Sequence, residues 1–188
     1  MAAYSSAKAI ASLWYRLSDA VRFYEDQATR CSDAITSTYL LYLSEKKRSQ
    51  LAVFEKVVDR RIEGVTLPPA NTSNCRSTYH KYSVALCTRR LVNVYDFALN
   101  CAENDLELFR SYQTLALDKA FYNAVSLLIE LERDFFFEIQ IGYIEFQSKQ
   151  IEQETSNTTA DLLETAAAPV ASRREKKSAM MADTFLLR

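Results

Sequence analysis

Apolar residues recur at three- and four-residue intervals along most of this chain, the spacing that lines one face of an α-helix. Near the N-terminus the stripe is Ile10, Leu13, Trp14, Leu17, Ala20, Val21, Tyr24, Ala28 and Cys31, which predicts a helix over 5–31. Ser32 and Asp33 then offer a break and an N-cap for the next helix. That helix, over 34–62, carries Leu40, Leu43, Leu51, Phe54, Val57 and Val58 on one face, and the polar residues Lys47 and Gln50 interrupt the same face at its middle. A third helix is predicted over 78–115, with Leu91, Tyr95, Ala98, Ala102, Phe109 and Tyr112 on one side and a start that can break near Cys87 and Thr88. The fourth, over 118–152, shows Phe121, Val125, Leu128, Phe135, Ile139, Tyr143 and Phe146, with Glu132 as the one charge on that face. Asp118 follows Leu117 as its N-cap.

The connections set the topology. The links between helices 1 and 2 and between helices 3 and 4 are so short that each pair must be an antiparallel hairpin. Between helices 2 and 3, Gly64 acts as a stop and Pro68-Pro69 forbids helix in the stretch 65–74. A linker of about 13 residues reaches about 43 Å at about 3.3 Å each. A helix of about 28 residues is about 42 Å long at about 1.5 Å each. The linker can therefore cross the length of a bundle, and the expected fold is all-α: a four-helix bundle of two hairpins joined by a long crossover, occupying 1–152. Residues 153–188, rich in Ser, Thr and Ala with the basic run 173–177, read as an extended or disordered C-terminal tail. Docking of its apolar end (Met180, Met181, Phe185, Leu186, Leu187) on a partner chain is the alternative.

Composition narrows the picture. Only 2 glycines and 3 prolines occur in 188 residues, too few for a strand-and-turn architecture. They also exclude the glycine-rich phosphate and dinucleotide loops and the nucleophile elbow. The formal net charge of −1, with both signs interspersed, argues against a nucleic-acid surface, and Arg60-Arg61 and Arg89-Arg90 read as solvated helix faces. No apolar run is long enough to predict a membrane span. Cys31, Cys75, Cys87 and Cys101 form no CxxC pair and read as reduced thiols, and His80 is the only histidine, so a zinc site is not expected. An intracellular, cytoplasmic protein is expected. The N-terminal 25 residues have an amphipathic targeting composition, but Asp19 and Glu25 argue against organelle import. With no signal peptide in view, the acceptor-like Asn71-Thr72-Ser73 and Asn157-Thr158-Thr159 are taken as chance.

Each predicted hairpin resembles half of a rubrerythrin-type ferritin-like protein. In that family the first helix of a half carries a Glu followed by an aromatic seven positions on, and the second carries Glu-x-x-His. Here Leu17-Ser-Asp-Ala-Val-Arg-Phe-Tyr24 resembles the first segment, and Leu43-Ser-Glu-Lys-Lys-Arg-Ser-Gln50 the second. Leu128-Ile-Glu-Leu-Glu-Arg-Asp-Phe135 resembles the second segment again, and Tyr24 stands as far from Lys47 as Phe109 from Glu132, so the halves match as an internal repeat. The resemblance implies two irons held by carboxylates and imidazoles inside the bundle. At the implied ligand positions this chain has Leu17, Lys47, Gln50 and Phe135, with Glu132, and beside it Glu103 or Asp105, as the remaining carboxylates. Shifting the register to Glu45 places Arg48 at the histidine position. The di-iron centre is therefore expected to be lost, and no cofactor is expected.

A bundle without its metals keeps polar space at its centre. Lys47 and Glu132 are expected to form an ion pair across the core, with Gln50 hydrogen-bonded beside it, because an isolated buried charge costs several kcal/mol. The competing expectation is a Lys47 stem that snorkels to the surface. The run Phe135-Phe136-Phe137 presents rings to more sides of its helix than one face can bury, and Tyr39 and Tyr42 add further rings on helix 2. The functional expectation is a non-catalytic structural or interaction subunit of a larger assembly, with other protein subunits as partners (a homo-oligomer among them) and no identifiable small-molecule substrate. The alternatives are a di-iron or di-manganese oxidoreductase and a polymer-forming coat or shell subunit.

Overall fold

The computed structural model describes residues 2–61, 67, 90–116 and 118–167. Among them are four α-helices and no strand: α1 (Ala2–Arg30), α2 (Ala34–Arg61), α3 (Leu91–Thr114) and α4 (Lys119–Ala167). Gly64, Pro68-Pro69, the Asn71 acceptor sequence, Cys75, His80, Cys87, Leu117 and everything after 167 lie outside the described residues. The chain divides into two units, Met1–Tyr143 and Ile144–Arg188, with α4 contributing to both.

The first unit is an all-α bundle. Its α1 buries the predicted stripe from Ile10 to Ala28, and Phe23 and Gln27 as well, while Cys31 is only half-buried. The turn into α2 is closed by Asp33, whose carboxylate accepts the Thr36 backbone N–H at 2.8 Å. Hydrogen bonds from the Thr36 side chain and backbone hold the Asp33 carboxyl below its usual range. Asp118 caps α4 in the same way, accepting the backbone N–H groups of Ala120 and Phe121 at 3.1 and 3.3 Å. One end of the bundle is a dense apolar cluster in which Ile10, Leu13, Leu17, Phe54, Phe109 and Leu128 are buried together.

Helix directions follow from side chains that meet. Ser44 Oγ donates to Val21 O and Ser37 Oγ to Ala28 O, so α1 and α2 are antiparallel. Gln113 bonds Ser126 and Tyr95 stacks on Tyr143, so α3 and α4 are antiparallel too. Tyr39 packs on Tyr95, and Lys47 reaches Asp105, so α2 and α3 run the same way. Arg61 and Leu91 therefore lie at opposite ends of the bundle.

Two boundaries differ from those predicted. The third helix does not run unbroken from 78, because Arg90 is extended (φ −66°, ψ 150°) and caps a helix that begins at Leu91. The fourth helix does not stop at 152, where the tail was expected to begin, but continues to Ala167. No glycine or proline occurs between Gly142 and Pro169 to end it. The hydroxyls that make this stretch look like loop bond back along the helix, Thr155 to Ile151 O and Thr158 to Glu154 O, both at 2.8 Å. In the second unit Ile144 and Ile151 are exposed.

Candidate functional site

Four charges meet at the middle of the first unit, one from each helix: Arg16 of α1, Lys47 of α2, Asp105 of α3 and Glu132 of α4. Lys47 Nζ donates to Glu132 Oε1 and Oε2 at 2.7 and 2.6 Å and to Asp105 Oδ2 at 2.9 Å. Arg16 Nε donates to the other oxygen of Asp105 at 2.6 Å. Lys47 and Glu132 are 0% exposed, so Lys47 does not snorkel outward. The two cations come from the first hairpin and the two anions from the second. Lys47 and Glu132 face one another with opposite charge.

The neighbours complete the shell. Lys47 Nζ lies 4.8 Å from the centre of the Phe135 ring, so this aromatic residue at an implied histidine position presents its electron-rich face to the ammonium. Gln50 Nε2 donates to Leu131 O at 3.2 Å, and the Gln50 amide beside Glu132 pulls that carboxyl slightly down. Leu17, at the implied position of the first glutamate, is fully buried in the apolar cluster and brings no donor to the charges.

Burial alone would push the Lys47 ammonium down, but the facing charges and hydrogen bonds of Asp105 and Glu132 outweigh it and hold the ammonium above its ordinary value. Burial pushes the Glu132 carboxyl up, to about 7, and Asp105 adds to this, against the pull of Lys47. Lys47 thus stays charged, and burial makes the Glu132 carboxyl easier to protonate than an ordinary carboxylate. The fully buried Tyr24 phenol is raised well above its usual range by burial and by nearby Cys101, Asp105 and Glu132. Burial also lifts the Cys101 thiol to about 12.

This arrangement does not fit the di-iron centre that the resemblance implies. Two metal ions need several free carboxylate and imidazole donors, whereas the carboxylates of Asp105 and Glu132 are bound to cations of the chain itself. A protonated Lys47 has no lone pair to offer a metal or a carbonyl, and a protonated Cys101 thiol is a poor nucleophile. Among the described residues, no three His, Cys, Asp or Glu side chains gather as a metal site would require. Sequence reasoning paired Lys47 with Glu132 and missed Asp105 and Arg16 as partners. Asp105 had a signal, since it continues the helical spacing Ala98, Ala102, Asp105, Phe109.

Beside the cluster, a groove of about 350 Å³ runs between α2 and α4, lined by Val53, Leu131 and Phe135 among others and reaching Gln50. No protein-family model, curated protein or solved structure matches the chain.

Proposed function

We propose that this chain is a ferritin-like bundle of the rubrerythrin type in which ion pairs have taken the place of the metals, and that it acts as a non-catalytic structural or interaction subunit of a larger assembly. The observation that carries this reading is the buried set of two cations and two anions, one from each helix, at contacts of 2.6–2.9 Å. Such a set joins all four helices without a cofactor, and both of its carboxylates are already bound to cations of the chain. The common direction of α2 and α3 supports a long crossover between the hairpins, the connection by which ferritin-like bundles differ from simple up-down ones.

The surface supports an interaction role. Of the three successive phenylalanines, Phe135 is buried and Phe136 packs partly against the core, while Phe137 is 50% exposed. Leu41 and Ile141 are also more than half exposed. These side chains suit contact with further subunits. No helix among the described residues is long and apolar enough to cross a membrane.

Metal analysis of the full chain, expressed with added iron and manganese, tests the reading. We expect far less than one metal ion per chain; about two per chain would overturn it in favour of an oxidoreductase. Light scattering tests the assembly: a multiple of the 21.5 kDa chain mass is expected. A strict monomer removes self-assembly from the reading, and an open-ended polymer favours the coat or shell alternative.

A further inference from the structure

Within the second unit, every side chain of α4 from Gln147 to Thr158 is exposed. The stretch has little helical stability of its own, because 155–159 is the run Thr-Ser-Asn-Thr-Thr, all weak helix formers. Most helical stability in a protein comes from packing an apolar face. Such a face is present on α4. Phe137, Ile141, Ile144 and Ile151 are each at least 50% exposed. Together with the exposed Ser148 and Thr155 they are spaced alternately four and three residues apart. This seven-residue period is the seam along which one helix packs lengthwise on another.

The residues beside the seam state the charge of the helix that fits. Glu145 and Glu152 line one side, seven residues apart, and Gln147 and Glu154 line the other. All four are exposed. Lys149, the one cation of the sequence 144–158, lies one row behind Glu145 and Glu152, away from the seam. Glu138, which stands seven residues before Glu145, is already matched by Lys46 at 2.7 Å. A second copy of this chain fits poorly. Antiparallel, the file of Glu145 and Glu152 would meet itself, and parallel, Glu152 would meet the uncharged Gln147. A helix with basic residues on both flanks matches both sides of the seam, and the stems of its lysines or arginines cover more of it.

We infer that this face of α4 binds an amphipathic helix of another protein, one whose apolar seam is flanked on both sides by lysine or arginine. The inference rests on the interaction role proposed above and names the chemistry of the partner. Ile144 and Ile151 supply the apolar contact, and Glu145, Glu152 and Glu154 select the charge.

Fluorescence anisotropy of a labelled four-heptad peptide, titrated with the full chain, tests the surface. The probe carries Ile and Leu at its seam and Lys on both flanks, and the control has the same seam with Glu on both flanks. Saturable binding of the Lys peptide is expected, at least tenfold tighter than of the Glu peptide and weakening as salt is raised. Ile144→Ser with Ile151→Ser should abolish it while leaving the urea unfolding curve unchanged, since both residues are exposed. Glu145→Lys with Glu152→Lys should reverse the preference between the two peptides. No saturable binding, equal affinity for both peptides, or unchanged affinity in either variant overturns the inference. So does an oligomer, seen by light scattering, that the two serine substitutions dissociate, which would give the seam to a second copy. A metal-free chain that assembles but ignores the Lys peptide fails this inference alone, whereas a chain that binds the peptide and holds two metals fails the earlier reading.

Discussion

Replacing Lys47 by methionine keeps most of the volume of the side chain and removes its charge. Two carboxylates, Asp105 and Glu132, then face each other in a site where both are at most 1% exposed. Breaking a buried ion pair by removing one partner costs about 3–5 kcal/mol, a large part of the roughly 5–15 kcal/mol that stabilises a typical domain. The cost should depend on pH in a defined way. Near pH 8.5 the wild-type Glu132, whose carboxyl titrates at about 7, is ionised against Lys47. Without the ammonium that carboxyl must hold its proton, and at about 1.4 kcal/mol per unit over the 1.5 units from pH 7 this adds about 2 kcal/mol. Near pH 5.5 the proton is bound in both proteins, and Asp105 still has Arg16 at 2.6 Å. Urea unfolding followed by circular dichroism at both pH values measures the difference. A penalty of about 3–5 kcal/mol at pH 8.5 that shrinks by about 2 kcal/mol at pH 5.5 is expected. A penalty below about 1 kcal/mol, or one that does not change with pH, would refute the reasoning.

The remaining predictions concern the same core and its surroundings. Adding Glu132→Leu to Lys47→Met should restore most of the lost stability, since an apolar pair of similar volume often equals a buried ion pair; denaturant midpoints of the single and double variants check this. The Glu132 carboxyl is ordinarily near 4.5 but near 7 in the fold, so its stabilising effect is complete below 4.5 and is lost as pH rises through 7. Glu132→Gln should therefore flatten the stability profile between pH 5 and pH 8 by about 3 kcal/mol, read from unfolding curves across that range. Phe109→Ala, at a fully buried position of the apolar cluster, should cost about 3–5 kcal/mol by the same assay. Gly142→Ala should stabilise α4 by about 0.5–1 kcal/mol, seen as a raised melting temperature, because the added methyl group meets the Tyr95 ring at an ordinary 3.4 Å.

Much of this fold is legible in the chain because helical spacing is a direct imprint of which side faces the core. The stripe from Ile10 to Ala28 and the caps Asp33 and Asp118 are all readable from residue type and position. Lys47 and Glu132 stood out because each is a charge on an otherwise apolar face. Arg16 did not, since it lies beside the α1 stripe, where a long cationic side chain usually points to water; its role depends on Asp105 being opposite, which only tertiary packing determines. The far end of α4 was illegible for a different reason. Ser and Thr disfavour helix weakly on average, and whether their hydroxyls compete with the helix or bond back along it is decided by local geometry.

The division of charge between the hairpins constrains how copies of this chain can combine. If the α1–α2 portions of two molecules came together, four positive groups would be sealed away from water, and two α3–α4 portions would seal in four negative ones. Either mispairing carries a heavy desolvation and repulsion cost. A reciprocal exchange, in which each molecule lends its leading half to the trailing half of its neighbour, preserves every contact. The division of charge that joins the two halves of one molecule thus also penalises the pairing of like halves from two molecules.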